Sequence, residues 1–316
     1  MITEIIATNK TLNTKYKFGQ DLSCDYLYKD GGVDWDNVPA THNTYTYPNQ
    51  MGSTISSTKI QNRDITIEAY VYYVPSGDEV KGMTYDEKVA YCYNKIKEKK
   101  KKLNDFINPL HYIRLSVGDY YIEGKPEATP KYGVEYEDNN EYFCKFVFTI
   151  FCDNPMFKKN TETKTVLSGD TGVFHFPLIF EPEPRMIMGT RVNYLMLLVD
   201  NEGNAAIGGK IKIEAKGEVQ NPTITNLITN EHITINKTLL AGEVVTINTA
   251  DGEKKGVYGR YQGVESDYLQ YWDFNNTWLK FESGASLIGY SSDNQSELLM
   301  DVSIELNPVK YGLEEM

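Results

Sequence analysis

The chain has 316 residues, more than a single hydrophobic core usually spans, so its length predicts two domains. Hydrophobic residues make up 41% and charged residues 24%, which excludes wholesale disorder, and a net charge of −12 argues against nucleic-acid binding. No apolar run approaches the roughly 20 residues of a membrane helix, and no basic-then-apolar leader is visible. The 24 tyrosines favour strands and large, partly polar interfaces.

Alternating apolar and polar residues predict strands through most of the first half. Arg63–Tyr73 has the pattern of a half-buried strand with one wet face. Ile113–Val117 and Tyr120–Glu123 alternate in the same way and are joined by a Gly-Asp turn. In Phe143–Cys152, apolar residues occur at both odd and even positions, so they would lie on both faces of a strand. This predicts a central strand that is covered on both faces.

One helix, at about residues 84–108, interrupts these strands. Thr84 and Glu87 have the spacing of a capping box, and a proline follows the last periodic residue. The predicted apolar stripe consists of Val89, Tyr93, Ile96, Lys100, Leu103 and Ile107. The basic run Lys97–Lys102 lies inside this helix and is interpreted as a solvated face. A contact with an acidic partner surface and a nucleic-acid contact are the alternatives.

The second half is predicted to be β throughout. Pro155–Gly172 has turn residues and no periodicity, so we place the boundary there, with domains at 1–158 and 159–316. Ile211–Ala215 and Leu298–Leu306 alternate, and a Gly-containing hairpin signal ends at Gly252. Short strands at regular spacing without a convincing helix favour a β-sandwich or jelly roll.

No motif for catalysis or cofactor binding is found in the sequence. It contains no nucleophile elbow, zinc-protease helix, P-loop or dinucleotide fingerprint, and its four histidines have no ligand spacing. The four cysteines are dispersed and are predicted to be reduced thiols. Asp200–Asn204 is predicted to be a turn, with a calcium loop as the alternative. We therefore predict no enzyme, no catalytic residue, no metal and no cofactor, and a wall-degrading enzyme stays the remote alternative.

An aromatic-rich stretch lies between Tyr258 and Phe281. Exposed aromatic rings can stack on sugar rings, so Tyr271, Trp272 and Trp278 are candidate glycan contacts. The pattern nevertheless favours the interpretation that these aromatics form the core of a β-sandwich, and glycan contact is the alternative.

Three groups of motifs, in this order, resemble the distal tail proteins of long-tailed bacteriophages (the siphovirus tail-component family). The first group is Gly52–Ile55 and Asn62–Ile67. The second is the helix ending at Pro109, the hairpin after it and the phenylalanine-rich strand ending at Pro155. The third is Gly242–Gly252, Trp278–Gly284, Ile288–Tyr290 and Tyr311–Leu313. Lys29–Gly52 and Met186–Thr190 depart from the family pattern.

The resemblance implies a virion protein of the tail tip, made in the bacterial cytoplasm. It implies an N-terminal β-sandwich or split-barrel domain that builds a homo-hexameric ring, and a C-terminal galectin-like or jelly-roll sandwich similar to carbohydrate-binding modules. The implied partners are the tail tube protein, the tail-associated lysin or hub protein, the tape measure protein and receptor-binding proteins, with DNA passing through the ring. The alternative function is a glycan-binding adhesion module that contacts the cell wall through the C-terminal domain. The tail type stays open.

Overall fold

The computed structural model describes residues 4–35, 38–166, 168–172, 189–193 and 196–313. They form two compact units. The first runs to Asn160 and includes the chain again from Lys310, and the second is Thr161–Val309. The predicted fold class is confirmed, because the described residues are mainly β-strand with one long helix. The segment Met186–Thr190 departs from the family pattern, and its residues 186–188 lie outside the described residues.

The first unit is a strongly curved sheet that closes on itself. Its elements are β1 (Glu4–Asn9), β2 (Thr14–Gly19), β3 (Tyr26–Val33), β4 (Ala40–Tyr45), β5 (Thr54–Ile60), β6 (Arg63–Tyr72), α1 (Tyr85–Phe106), β7 (Ile113–Val117), β8 (Tyr120–Pro126), β9 (Lys131–Tyr132), β10 (Phe143–Cys152) and β11 (Phe157–Lys159). The hydrogen-bonded order is β8-β7-β1-β2-β3-β6-β10, and β8 also pairs with β10. This second pairing of β8 closes the sheet into a barrel.

The barrel interior is filled by alternate residues of its strands. Ile65, Ile67 and Ala69 of β6 are fully buried, as their period-2 pattern predicted. Strand β10 buries only one face, so the prediction that both faces are covered is wrong: Phe146 is buried, but Phe151 is 39% exposed. The residues on the other face of β10 are half-buried, except the exposed Phe151.

Helix α1 begins as its sequence predicted. The Thr84 backbone N–H donates to the Glu87 carboxylate at 2.8 Å, and the Glu87 N–H donates to the Thr84 hydroxyl at 3.4 Å. The buried stripe consists of Cys92, Ile96, Leu103 and Phe106. Tyr93 is 54% exposed, so its predicted place in the stripe is wrong. Cys92, one turn before Ile96, occupies the core-facing position instead.

The second unit is a β-sandwich. Its strands are β12 (Thr163–Val166), β13 (Ser168–Gly172), β14 (Gly189–Asn193), β15 (Met196–Asn201), β16 (Gly209–Ala215), β17 (Val219–Gln220), β18 (Thr223–Asn226), β19 (Glu231–Thr234), β20 (Thr238–Leu239), β21 (Val244–Asn248), β22 (Gly256–Tyr261), β23 (Val264–Asp267), β24 (Gly284–Ser291) and β25 (Met300–Leu306), with short 3-10 turns at Leu269–Tyr271 and Glu297–Leu299; β26 (Val309–Lys310) follows. One sheet has the order β12-β25-β16-β21-β22-β23 and the other β15-β24-β18-β19. Each sheet buries one face, for example Ile211 and Ile213 in the first and Ile224 and Ile288 in the second.

Candidate interaction surfaces

The basic run of α1 divides between the sheet and the solvent. Lys99 Nζ donates to the Tyr72 carbonyl at 3.0 Å and lies 4.8 Å from the centre of the Tyr72 ring. Burial lowers the pKa of Lys99. Lys100 lies 5.2 Å from the centre of the Tyr132 ring. The solvated-face interpretation is therefore wrong for Lys99. Lys100 contacts a ring, as its place in the predicted apolar stripe implies, and Lys97, Lys101 and Lys102 are exposed.

The β4–β5 hairpin is the most exposed ordered element of the first unit. Its two strands pair with each other and, among the described residues, with no other strand. All of its strand residues are exposed except Thr54, which is half-buried. Apolar side chains accompany this exposure: Tyr45, Tyr47 and Ile55 are exposed, and Met51 in the connecting loop is 99% exposed. The sequence predicted no strands here: Lys29–Gly52 departs from the family pattern, and Gly52–Ile55 belongs to the first group of family motifs.

An apolar groove of about 630 Å³ lies elsewhere in the first unit, at the ends of β6 and β10. Leu22, Val74 and the aromatic rings of Tyr70, Tyr142 and Phe143 contribute to its walls. The rings of Tyr70 and Phe143 pack edge to face, 5.6 Å apart. An open apolar groove of this kind is typical of a surface that another molecule covers.

A buried ion pair anchors the aromatic stretch of the second unit. The Glu243 carboxylate accepts hydrogen bonds from Lys237 Nζ at 2.6 Å, the Tyr268 hydroxyl at 2.7 Å and the Leu240 N–H at 3.0 Å. Burial alone would raise the pKa of Glu243, but these hydrogen bonds outweigh it and lower the pKa. Burial, aided by the bond to Glu243, raises the pKa of Tyr268 to about 12.

The three candidate glycan contacts follow directly after this anchor. Tyr271 packs edge to face on Tyr268, 5.3 Å away, and the rings of Trp272 and Trp278 stack on each other at 4.3 Å. The backbone between them hydrogen-bonds along β19, for instance from the Asp273 N–H to the Thr234 carbonyl at 3.3 Å. This segment therefore covers the edge of the four-stranded sheet. Glycan contact through Tyr271, Trp272 and Trp278 stays a prediction.

The described residues contain no group of three or more His, Cys, Asp or Glu side chains placed to hold a metal ion. All four cysteines are buried and free. At the predicted turn, Asn201 is buried, and its amide donates to the carbonyls of Ala205 and Phe281 at 2.9 and 3.0 Å. The Gly203 N–H donates to Asn201 Oδ1 at 3.0 Å, so this side chain closes the turn. Across the described ranges, no helix combines the length and hydropathy that a membrane span requires.

Comparison with known proteins identifies the architecture. No family model and no curated protein matches the sequence. Among solved structures, the chain is similar to the Dit protein (gp 19.1) of phage SPP1, described as a paradigm of the hub adsorption apparatus in phages that infect Gram-positive bacteria. The TM-score is 0.60 at 11% identity, over 96% of this chain and 98% of that one. A chain of the phage P2 baseplate in its activated conformation has a TM-score of 0.41 at 12% identity, over 96% of this chain and 98% of that one. This TM-score is too low to support an argument. The protein therefore has the fold of a phage distal tail protein, and the resemblance predicted from the order of its motifs is confirmed at the level of the fold.

Proposed function

We propose that this protein is a structural component of a phage tail tip that assembles as a hexameric ring. The similarity to SPP1 Dit carries the proposal, because it extends over nearly the whole length of both chains rather than one domain. Fold alone does not dictate function, so the surfaces of this chain must supply the rest of the argument.

Two surfaces of the first unit support a ring. A closed ring built from one kind of subunit needs a heterologous interface, in which each copy uses two different patches. The β4–β5 hairpin is one patch, since an isolated two-stranded hairpin is marginally stable in water and gains from a partner. The apolar groove and the half-exposed outer face of β10 offer the second.

The remaining roles rest on the resemblance. The ring would join the tail tube protein to the tail-associated lysin or hub protein, with the tape measure protein and receptor-binding proteins as further partners, and DNA would pass through its centre. A net charge of −12 suits such a channel, because like charge suppresses binding of phosphates. Replacing acidic channel residues by lysine is then expected to slow genome ejection, and an unchanged ejection rate would refute this role of the charge.

The direct test is the mass and shape of the assembled protein. Six chains of 36.0 kDa total about 216 kDa. Mass photometry with negative-stain imaging of the same sample should show that mass and a six-fold ring with an open centre. The double variant Tyr47→Ser/Ile55→Ser should shift the protein to monomers, since it removes apolar surface from the hairpin.

Leu298→Ser is the matched control, because this exposed apolar side chain lies in the second unit. It should leave the ring intact. A protein that stays monomeric alone and also when mixed with tube and hub proteins would overturn the proposed function. A ring that survives the hairpin variant would place the interface on other surfaces.

A further inference from the structure

A polar groove of about 570 Å³ crosses the outer face of the six-stranded sheet in the second unit. Four strands contribute one residue each to a row across it, in the order Lys212, Thr246, Tyr258 and Asp267. Their neighbours along each strand are largely buried on β16, β21 and β22, so the row points away from the core. The volume lies within the range typical of small-molecule sites.

A second row lies beside the first and is held in a fixed register. Arg260 and Glu265 face each other on β22 and β23, and both line the groove. The two residues that join these strands, Gln262 and Gly263, have φ angles of 51° and 81°. Positive φ at both positions is the geometry of the tight hairpin turn that matches strand twist. The groove is thus built on regular strands rather than on loops.

The charges of the groove are paired only in part, since Lys212 Nζ lies 3.5 Å from a Glu214 carboxylate oxygen. Elsewhere, lysines are neutralised by carboxylates on the same face, as in Lys164 with Glu305 at 3.0 Å and Lys216 with Glu214 at 2.7 Å. Among the described residues, neither Arg260 nor Glu265 has an oppositely charged partner within 4.0 Å. Donor and acceptor capacity is therefore open in the groove, around the partly exposed ring of Tyr258.

The mixture of groups selects the chemistry of a ligand. The ligand must accept hydrogen bonds from Arg260 and donate to Glu265 at the same time. A hydroxyl group does both. Asp267 keeps acceptor capacity beside the bond that it accepts from the Leu269 N–H. The groove has no net positive charge to attract an anion, because its two carboxylates balance Lys212 and Arg260, and an apolar ligand would leave charges buried without partners. A sugar ring carries several hydroxyls and an apolar C–H face that can lie on an aromatic ring.

We propose that this groove binds a neutral saccharide, with Tyr258 as the stacking surface and Arg260, Glu265 and Asp267 as hydrogen-bonding groups. The site is separate from Trp272 and Trp278, whose rings stack on each other. It does not depend on ring formation, since every residue that lines it belongs to the second unit.

The test uses the intact purified chain and a panel of neutral oligosaccharides of hexose and N-acetylhexosamine, two to four sugars long. Titration calorimetry should detect at least one binder at concentrations up to about 10 mM. Tyr258→Ala and Glu265→Gln should each weaken binding about tenfold or more. Lys164→Ala changes the opposite edge strand of the same sheet, outside the groove, and should leave affinity unchanged.

Circular dichroism melting of each variant separates loss of binding from loss of fold. Glu265 is exposed, so its variant carries the test if Tyr258→Ala does not fold. Binding of no saccharide in the panel would overturn the proposal. Binding that survives both groove variants but is lost in Trp272→Ala or Trp278→Ala would also overturn it, and would place the glycan contact in the aromatic segment.

Discussion

The ion pair between Lys237 and Glu243 allows a stringent test of the forces in the second unit. Glu243 is 1% exposed and Lys237 is 21% exposed. Lys237→Met keeps the apolar stem but leaves a buried carboxylate with only the Tyr268 hydroxyl and the Leu240 N–H as donors. Removing one partner of a buried pair costs 3–5 kcal/mol, and the two remaining donors place this variant near the lower end, at about 3 kcal/mol.

The free energy of unfolding lost in Lys237→Met should also depend on pH, and the loss should be smaller at acidic than at neutral pH. In the native protein, the pKa of Glu243 is lowered, so its stabilising contribution is present above its unfolded pKa and is lost as the pH falls through the folded one. Without Lys237, the carboxylate loses a hydrogen bond and its cation, so the pKa of Glu243 should be higher in the variant than in the native protein. As the pH falls, protonation of Glu243 then removes the cost of a buried, unpaired carboxylate in the variant, whereas the native protein has no such cost. The difference in the free energy of unfolding should therefore shrink from about pH 7 to about pH 4.

Urea unfolding followed by tryptophan fluorescence measures this difference. Trp272 and Trp278 report on the second unit, and a Trp35→Phe background removes the signal of the first. Lys255→Met is the matched control, since its pair with Asp251 is more exposed, at 33% and 46%, and should contribute less than about 1 kcal/mol. A loss below about 1 kcal/mol for Lys237→Met, or a loss of equal size at both pH values, would refute the reasoning.

Two further predictions concern local geometry. Thr84→Ala removes the hydroxyl that accepts from the Glu87 N–H, so unfolding of the first unit should require about 1 kcal/mol less, and an unchanged urea midpoint would contradict the capping role. Gly259→Ala places a Cβ 2.1 Å from the Tyr268 ring and should lower the stability of the second unit by about 1–3 kcal/mol. Gly77→Ala, where a Cβ meets nothing within 4 Å, is its control, and equal melting temperatures for the two variants would show that the Tyr268 ring moves aside freely.

The sequence predicted those elements whose burial leaves a periodic pattern. Strand β6 and helix α1 were found because their apolar residues recur at the period of the element, and the capping box marked the start of the helix. The β4–β5 hairpin was missed for the opposite reason. Both of its faces are exposed, so no alternation marks Ala40–Tyr45. The phenylalanines of β10 were assigned to a second buried face that the isolated chain does not provide.

The polar groove lay beyond sequence reasoning for a different reason. Lys212, Thr246, Tyr258 and Asp267 belong to four different strands. They meet only because the register of three strand pairs aligns them. A shift of one residue in any pair would turn a side chain to the other face, and short sequence patterns do not specify pairing at that resolution.

The return of the chain to the first unit at Lys310 has a consequence for biosynthesis. The Arg63 guanidinium, which is fully buried at the start of β6, donates to the carbonyl of Tyr311 and lies 4.8 Å from the centre of the Phe157 ring. On the ribosome, residues 310–313 emerge only after the whole second unit has been made. The inserted sandwich can therefore fold while the barrel still lacks its final segment, and the first unit is completed last although its strands are synthesised first.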